Sequence, residues 1–219
     1  MSELGSVSFM PQRYKVFIGQ ACIHFGENAH DEIYRSDYEV VADLFQVFLS
    51  LNHPTDVYLK WHEDPAAFFR YYVAGCRMLE AAGGLVFDDR QRMLVMIRHG
   101  IPDFPKGHLD KDETCETAAL REVTEETGLT ALHIVAQAPE TWHAYRQNDR
   151  WCLKRTQWFI MKVKGNQLLR PQIEEGITEL FWTEHSDLET YLKNTYRSLC
   201  DTLGPTIMAY ALSGRSANG

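Results

Sequence analysis

Three glutamates crowd into five residues at Glu122, Glu125 and Glu126, and a fourth, Glu113, stands nine residues before the first of them. From Glu113 to Thr127 the chain has no Gly or Pro and is rich in Ala and Glu, which predicts a helix. Asp110 or Asp112 is placed to cap its start, and Gly128 to stop it. At about 100° per residue, Glu122 and Glu126 share one stripe, with Glu125 on its flank. Leu120, Val123 and Thr127 fall on a different arc that can pack on a core. Cys115, Ala118 and Ala119 share the carboxylate arc and are short enough to leave space above it. Like charges at i, i+4 destabilise a helix, and a bound cation relieves that repulsion. Three carboxylates suit a hard divalent ion, Mg²⁺ ahead of Ca²⁺ or Zn²⁺, because Mg²⁺ works with a few carboxylates plus substrate phosphates. A glutamate cluster taken alone is more often a solvated helix face.

The flanking residues decide between these readings. Gly107 is followed by five residues, Glu113, seven residues, and then Arg121-Glu122-Val123-Thr124-Glu125-Glu126-Thr127-Gly128-Leu129. This pattern, glycine-x5-Glu-x7-Arg-Glu-apolar-x-Glu-Glu-x-Gly-apolar, arises by chance on the order of once per billion starting positions at average composition. On these residues the chain resembles the Nudix hydrolases, over about 79–203. The resemblance implies an α+β fold, a mixed β-sheet sandwiched between helices. It also implies metal-dependent hydrolysis of a pyrophosphate bond in a nucleoside diphosphate linked to another moiety, with Mg²⁺ as cofactor and Mn²⁺ as a substitute.

By position in that family, Glu122 and Glu126 look like the principal metal ligands, and Glu125 like a further or water-mediated one. The backbone carbonyl of Gly107 is a ligand in several relatives. Glu113 and Arg121 stand where the family places an ion pair that orients the glutamates. The family's general base varies and often lies outside the box; here Glu174 and Glu175 are the candidates, with Glu175 preferred. Pro105-Lys106-Gly107-His108 resembles the approach to the box in diadenosine polyphosphate hydrolases and diphosphoinositol polyphosphate phosphohydrolases. Lys106 would meet a phosphate as a point charge, and His108 could hydrogen-bond one. Lys154 and Arg155 are neighbours on an expected strand, so alternation aims only one of them into a cleft. Arg155 is preferred there, because a guanidinium grips phosphate oxygens bidentately. Trp142, His143, Tyr145, Trp151 and Trp158 could include an adenine stack, although strand aromatics are more often packing.

The elements that must position these groups come from the rest of the chain. Of its 219 residues, 45% are hydrophobic and 12% aromatic, ample for a buried core. No apolar run reaches 18 residues and no secretory leader pattern opens the chain, so a soluble cytoplasmic protein is expected, with no membrane partner. Five scattered cysteines without a CxxC pair indicate neither a disulfide framework nor a zinc site. A net charge of −8 argues against nucleic acid as partner and leaves a small nucleotide, bound through metal and local cations.

Residues 1–78 predict a small ββαβα module. Its parts are a hairpin over 14–25 turning at Gly19-Gln20, a helix opened by Ser36 and Glu39 that runs to about Leu51, a strand at 57–61, and a helix from Asp64-Pro65 to Tyr72. His24, His30, His53 and His62 show no ligand spacing. The Nudix domain is expected over 79–219, with strands at 81–87, 93–97, 132–138, 142–145, 152–163 and 179–182. A last helix capped by Ser186 and Glu189 carries Leu188, Leu192 and Leu199, and a frayed tail follows from 214. A dinucleoside polyphosphate is the favoured substrate, with adenosine diphosphate ribose or an oxidised nucleoside triphosphate as alternatives. A nucleotide-binding sensor without turnover is the reading of another class. Relatives often form homodimers.

Overall fold

A computed structural model describes residues 14–25, 54–59 and 65–213. The chain divides into two units, Met1–Cys76 and Arg77–Gly219. In the first unit, β1 (Tyr14–Ile18) and β2 (Ala21–Phe25) pair antiparallel. They turn at Gly19, whose φ of +57° is a left-handed value that glycine adopts without strain. Strand β3 (Thr55–Leu59) joins β2 in parallel, and α1 (Pro65–Tyr72) opens at its proline. Phe69 of α1 stacks on Tyr14 at 4.2 Å and meets Phe25 edge-on at 5.3 Å, so this helix covers one face of the hairpin. The strand expected at 57–61 begins two residues earlier, directly after Pro54, where its register places Thr55 beside Ala21. The helix expected from Ser36 to Leu51, His30, His53, His62 and the tail from 214 lie outside the described residues.

The second unit is a mixed sheet between helices. Strands β4 (Arg77–Phe87) and β5 (Met93–Arg98) are followed by the short strands β6 (Ile101–Asp103) and β7 (Lys106–His108), helix α2 (Cys115–Thr127), and the long strands β8 (Leu132–Gln147) and β9 (Arg150–Val163). Then come β10 (Ile177–Thr183), α3 (His185–Asn194) and α4 (Arg197–Ser213). The strand order is β10-β5-β4-β9-β8; β4 and β9 run parallel and the other neighbours antiparallel. β6 pairs with β5, and β7 with β4.

Alternation divides β4 between two cores. Ala82 and Val86 face α2 with Leu94, Phe159 and Met161, whereas Leu85 and Phe87 face Leu188, Leu192, Leu199 and Leu203 of α3 and α4. Gly84 lets α2 come close, since a Cβ there would lie 2.7 Å from Val123 Cγ2. The same close approach explains one difference from expectation. Ala118 and Ala119 are fully buried against the sheet, so they let the helix press down and do not leave space above it.

Other differences have local causes. Asp112 takes a left-handed φ of +64°, which disqualifies it as an N-cap, and Thr114 caps α2 instead through reciprocal hydrogen bonds with Thr117. The two strands expected at 132–138 and 142–145 are one, because β8 absorbs Pro139 in a register shift between Ala138 and Thr141. The single terminal helix is two, broken at Thr195, where an extended backbone ends α3; Glu184, not Ser186, takes the N-cap position. No helix among the described residues is long and apolar enough to cross a membrane.

Candidate active site

Helix α2 ends where three segments of backbone converge on its glutamates. Gly128, with φ +76°, donates its N–H to Thr124 O and closes the helix. The next carbonyls are taken by the following loop: Arg170 N donates to Thr127 O at 2.8 Å and Gln172 N to Glu126 O at 3.2 Å. This leads the short 3₁₀ turn Ile173–Glu175 back over the helix end. On the other side, β7 brings Gly107 against Glu122. A Cβ on residue 107 would overlap that carboxylate, so any other residue there would displace Glu122 from its place.

Arg121 organises the outer carboxylates. Its Nε and Nη2 grip Glu113 at 3.0 and 2.8 Å, while Nη1 donates to Glu122 at 2.8 Å and to Glu125 at 3.1 Å. Nη2 also reaches the His108 carbonyl at 3.0 Å, tying β7 to the helix. These bonds hold the Glu113 carboxyl below its ordinary range; burial pushes Glu122 upward.

Glu126 is the innermost acid, 2% exposed. It accepts from the Lys106 backbone N–H at 2.8 Å and from Arg98 Nη1 at 3.1 Å. Burial pushes its pKa up to about 7 in spite of these donors, and Glu122 adds to the rise. Arg98 then spans to Glu175, donating from Nη2 at 2.6 Å. Of the two loop glutamates it is therefore Glu175 that is fixed beside the helix acids. Sequence reasoning missed Arg98; the available signal was an arginine closing an otherwise apolar strand, Met93–Arg98.

The cations are arranged differently from expectation. Lys106 turns its ammonium to Asp103 at 2.5 Å and to the Phe104 carbonyl at 3.3 Å, over the Trp158 ring. Arg155 is occupied by Glu140 at 2.7 Å and Glu80 at 3.5 Å, with the Trp142 ring beneath it. Its neighbour Lys154 points to the opposite face of the sheet, as alternation demands. There it pairs across the ladder with His143 on β8, and His108 follows on β7 beside Ala81. Arg155 is thus engaged by Glu140 and Glu80, while Lys154 stands near Lys106, Arg98, Asp103 and Glu126.

No carboxylate neutralises Lys154 by direct contact among the described residues. Desolvation, Lys106 and Arg98 together lower its pKa to about 8, with Asp103 and Glu126 opposing. His108 and His143 are both lowered, by desolvation first and Lys154 second, so both imidazoles are neutral at pH 7. Trp158 is core, its Nε1 donating to Thr141, and Trp142 donates to Glu140; neither offers an open stacking face of the kind an adenine needs.

The donor set fits a hard divalent cation. Glu122, Glu125, Glu126 and the Gly107 carbonyl are all oxygen donors, and the raised Glu126 marks buried negative charge that a cation would stabilise. Among the described residues no three of these carboxylates bring oxygens within 4.8 Å of one another. Convergence on one ion therefore requires these side chains to shift from their bonds to Arg121, Arg98 and the Lys106 N–H.

A family model described as the NUDIX domain matches residues 78–202. The chain belongs to the Nudix family. It is a pyrophosphohydrolase of that family in class. The RNA pyrophosphohydrolase of Shewanella sediminis is 25% identical over 124 residues, covering 49% of this chain and 72% of the relative. That of Pseudoalteromonas atlantica is 27% identical over 133 residues, covering 53% and 75%. Among solved structures, the C. elegans Ap4A hydrolase binary complex aligns with a TM-score of 0.49 at 20% identity, covering 62% of this chain and 98% of that one. The NUDIX domain of Shewanella oneidensis NrtR complexed with ADP ribose gives 0.46 at 21%, covering 70% and 94%.

Proposed function

We propose that this Nudix enzyme hydrolyses a pyrophosphate bond within the phosphate chain of a dinucleoside polyphosphate, using Mg²⁺. The observation that carries the reading is the basic face beside the acids: Lys154, with no contacting carboxylate among the described residues, flanked by the neutral imidazoles of His108 and His143. A chain of several phosphates can reach from the carboxylates of α2 across this face, where an ammonium and two N–H donors would bind it. Mg²⁺ bound at Glu122, Glu125, Glu126 and Gly107 would screen phosphate charge and acidify a water.

The chain's own residues supply the rest. Glu175, held by Arg98, accepts the proton of the attacking water. Arg121 and Glu113 keep Glu122 and Glu125 oriented. Lys154 holds the leaving phosphates. On this reading residues 79–219 form the catalytic domain, and every group named for the reaction comes from it.

Similarity to RNA pyrophosphohydrolases favours a second reading, a 5′-polyphosphorylated RNA end. The net charge of −8 weighs against a long nucleic acid. A product-resolved screen with Mg²⁺ and Mn²⁺ separates these readings. It would cover dinucleoside polyphosphates, adenosine diphosphate ribose, oxidised nucleoside triphosphates and triphosphorylated RNA, with Glu126→Gln as control. Highest kcat/KM on a dinucleoside polyphosphate, lost in the variant, is expected. Preference for RNA ends selects the second reading; nucleotide binding without turnover of any class would make the protein a sensor.

A further inference from the structure

The first unit brings together a thiol, an imidazole and a carboxylate that lie far apart in the sequence. Cys22 and His24 are two residues apart on β2 and so face the same side. Parallel pairing with β3 sets Asp56 directly beside Cys22 and Tyr58 beside His24. Potential ligand atoms of Cys22, His24 and Asp56 all lie within 4.8 Å of one another. His24 Nε2 is 2.7 Å from Asp56 Oδ1, and its ring stacks on Tyr58 at 4.3 Å and 17°, which fixes its orientation. Cys22 is 1% exposed, while the His24 and Asp56 side chains are 21% and 34% exposed, so the cluster opens to solvent on one side.

We propose that Cys22, His24 and Asp56 form a second metal site, distinct in kind from the carboxylate site of α2, that takes a borderline-soft divalent ion with Zn²⁺ first. A sulfur, a nitrogen and an oxygen donor match tetrahedral Zn²⁺, with the fourth position left to water on the open side. The thiolate and carboxylate together supply two negative charges, equal to the charge of the ion. Lys15 takes the ladder position opposite His24, so this charge match matters more than a general acidic field. Binding replaces the Cys22 S–H proton with a sulfur–metal bond and releases that proton to solvent. The ion would join β2 to β3 on the face opposite α1 and stabilise this unit.

The test is a Co²⁺ titration of the full-length protein followed by absorption. A thiolate-to-cobalt charge-transfer band that saturates at one equivalent is expected, displaced by Zn²⁺ and lost in Cys22→Ser and His24→Ala. Loss in Cys22→Ser separates this band from one at any other cysteine, Cys115 of α2 included. Asp56→Asn, a partly exposed and nearly isosteric change, should keep the fold by far-ultraviolet circular dichroism and weaken Co²⁺ binding at least about tenfold. Absence of the band in wild-type protein would overturn the proposal. So would a band that survives Cys22→Ser, or affinity unchanged in well-folded Asp56→Asn; His24 and Asp56 would then be only a hydrogen-bonded pair.

Discussion

The two sides of the Nudix site hold their charges in opposite ways. On α2, Arg121 divides itself among Glu113, Glu122 and Glu125, and Arg98 bridges Glu126 and Glu175, so each of these acids has a guanidinium partner. Across the sheet, Lys154 has Lys106 and Arg98 as like-charged neighbours, with Asp103 and Glu126 opposing them, and no contacting carboxylate among the described residues. Charge is therefore pre-organised on the acidic side, while on the basic side Lys106 is held by Asp103 and Lys154 has no contacting carboxylate among the described residues. The difference teaches which ligand each side awaits. On the proposed function, a cation would rearrange the acidic side and phosphate would neutralise the basic side.

The sharpest way to break the comparison is at the proton acceptor. Glu175→Gln keeps the shape of the loop and removes the base, so kcat should fall by about 10²–10⁴-fold. Glu174→Gln, one residue away and outside the Arg98 bridge, should leave kcat close to wild type. Equal losses in both would show that the loop, and not the Arg98–Glu175 contact, matters.

The basic side is tested by Lys154→Met, which removes the ammonium and keeps the stem. KM for a dinucleoside polyphosphate should rise about 10- to 100-fold, with kcat changed much less, as expected for loss of one charged hydrogen bond to phosphate. In wild type the same KM should climb as pH passes about 8 and the ammonium is lost. Lys154→Arg should flatten that climb.

The acidic side makes a stability prediction for metal-free protein. Burial pushes Glu126 up to about 7 in the folded protein, from its ordinary value of 4.5 in the unfolded chain. A folded pKa raised in this way stabilises the protein at low pH, and the contribution is lost as pH rises from about 4.5 through about 7. Glu126→Gln removes the buried charge. Without metal at pH 8 it should therefore be more stable than wild type, by up to about 3 kcal/mol or several degrees in Tm. The gain should vanish at pH 5, and saturating Mg²⁺ should stabilise wild type alone. A thermal shift series over pH, with and without chelator, reads all three outcomes.

The smallest effect belongs to Arg155. Its guanidinium is held by Glu140 and Glu80 away from the Lys154 face. Arg155→Ala should cost about 1 kcal/mol of stability or less and leave kcat/KM for the polyphosphate near wild type. A loss as large as that of Lys154→Met would return the substrate to the other face of the sheet.

How much of this was legible in the sequence depended on distance along the chain. The carboxylates, Gly107, Glu113 and Arg121 lie within 23 residues of one motif, Gly107 to Leu129, so helical spacing and a short loop from β7 bring them together. Arg98 was not legible, because its partners Glu126 and Glu175 are 28 and 77 residues away and meet it only through the packing of α2 on the sheet and the β5–β10 pairing. Lys154 and Arg155 were correctly seen as alternating, but nothing local says which face of β9 is open. Glu140 and Glu80 decide it by taking Arg155. The Cys22, His24 and Asp56 cluster fails every spacing rule for metal ligands, since it is made by a parallel strand pair across 32 residues. Turn chemistry misled at Asp112, whose left-handed backbone hands the N-cap to Thr114.

The central claim is that a cation on the acids and phosphates on the basic face form one joined site. Calorimetric binding of a non-hydrolysable dinucleoside polyphosphate, with and without Mg²⁺, measures that coupling directly in wild type and Lys154→Met. The account predicts binding at least about tenfold tighter with Mg²⁺ in wild type, and weaker binding in Lys154→Met under both conditions. Equal affinity with and without Mg²⁺, or no difference between the two proteins, would contradict it.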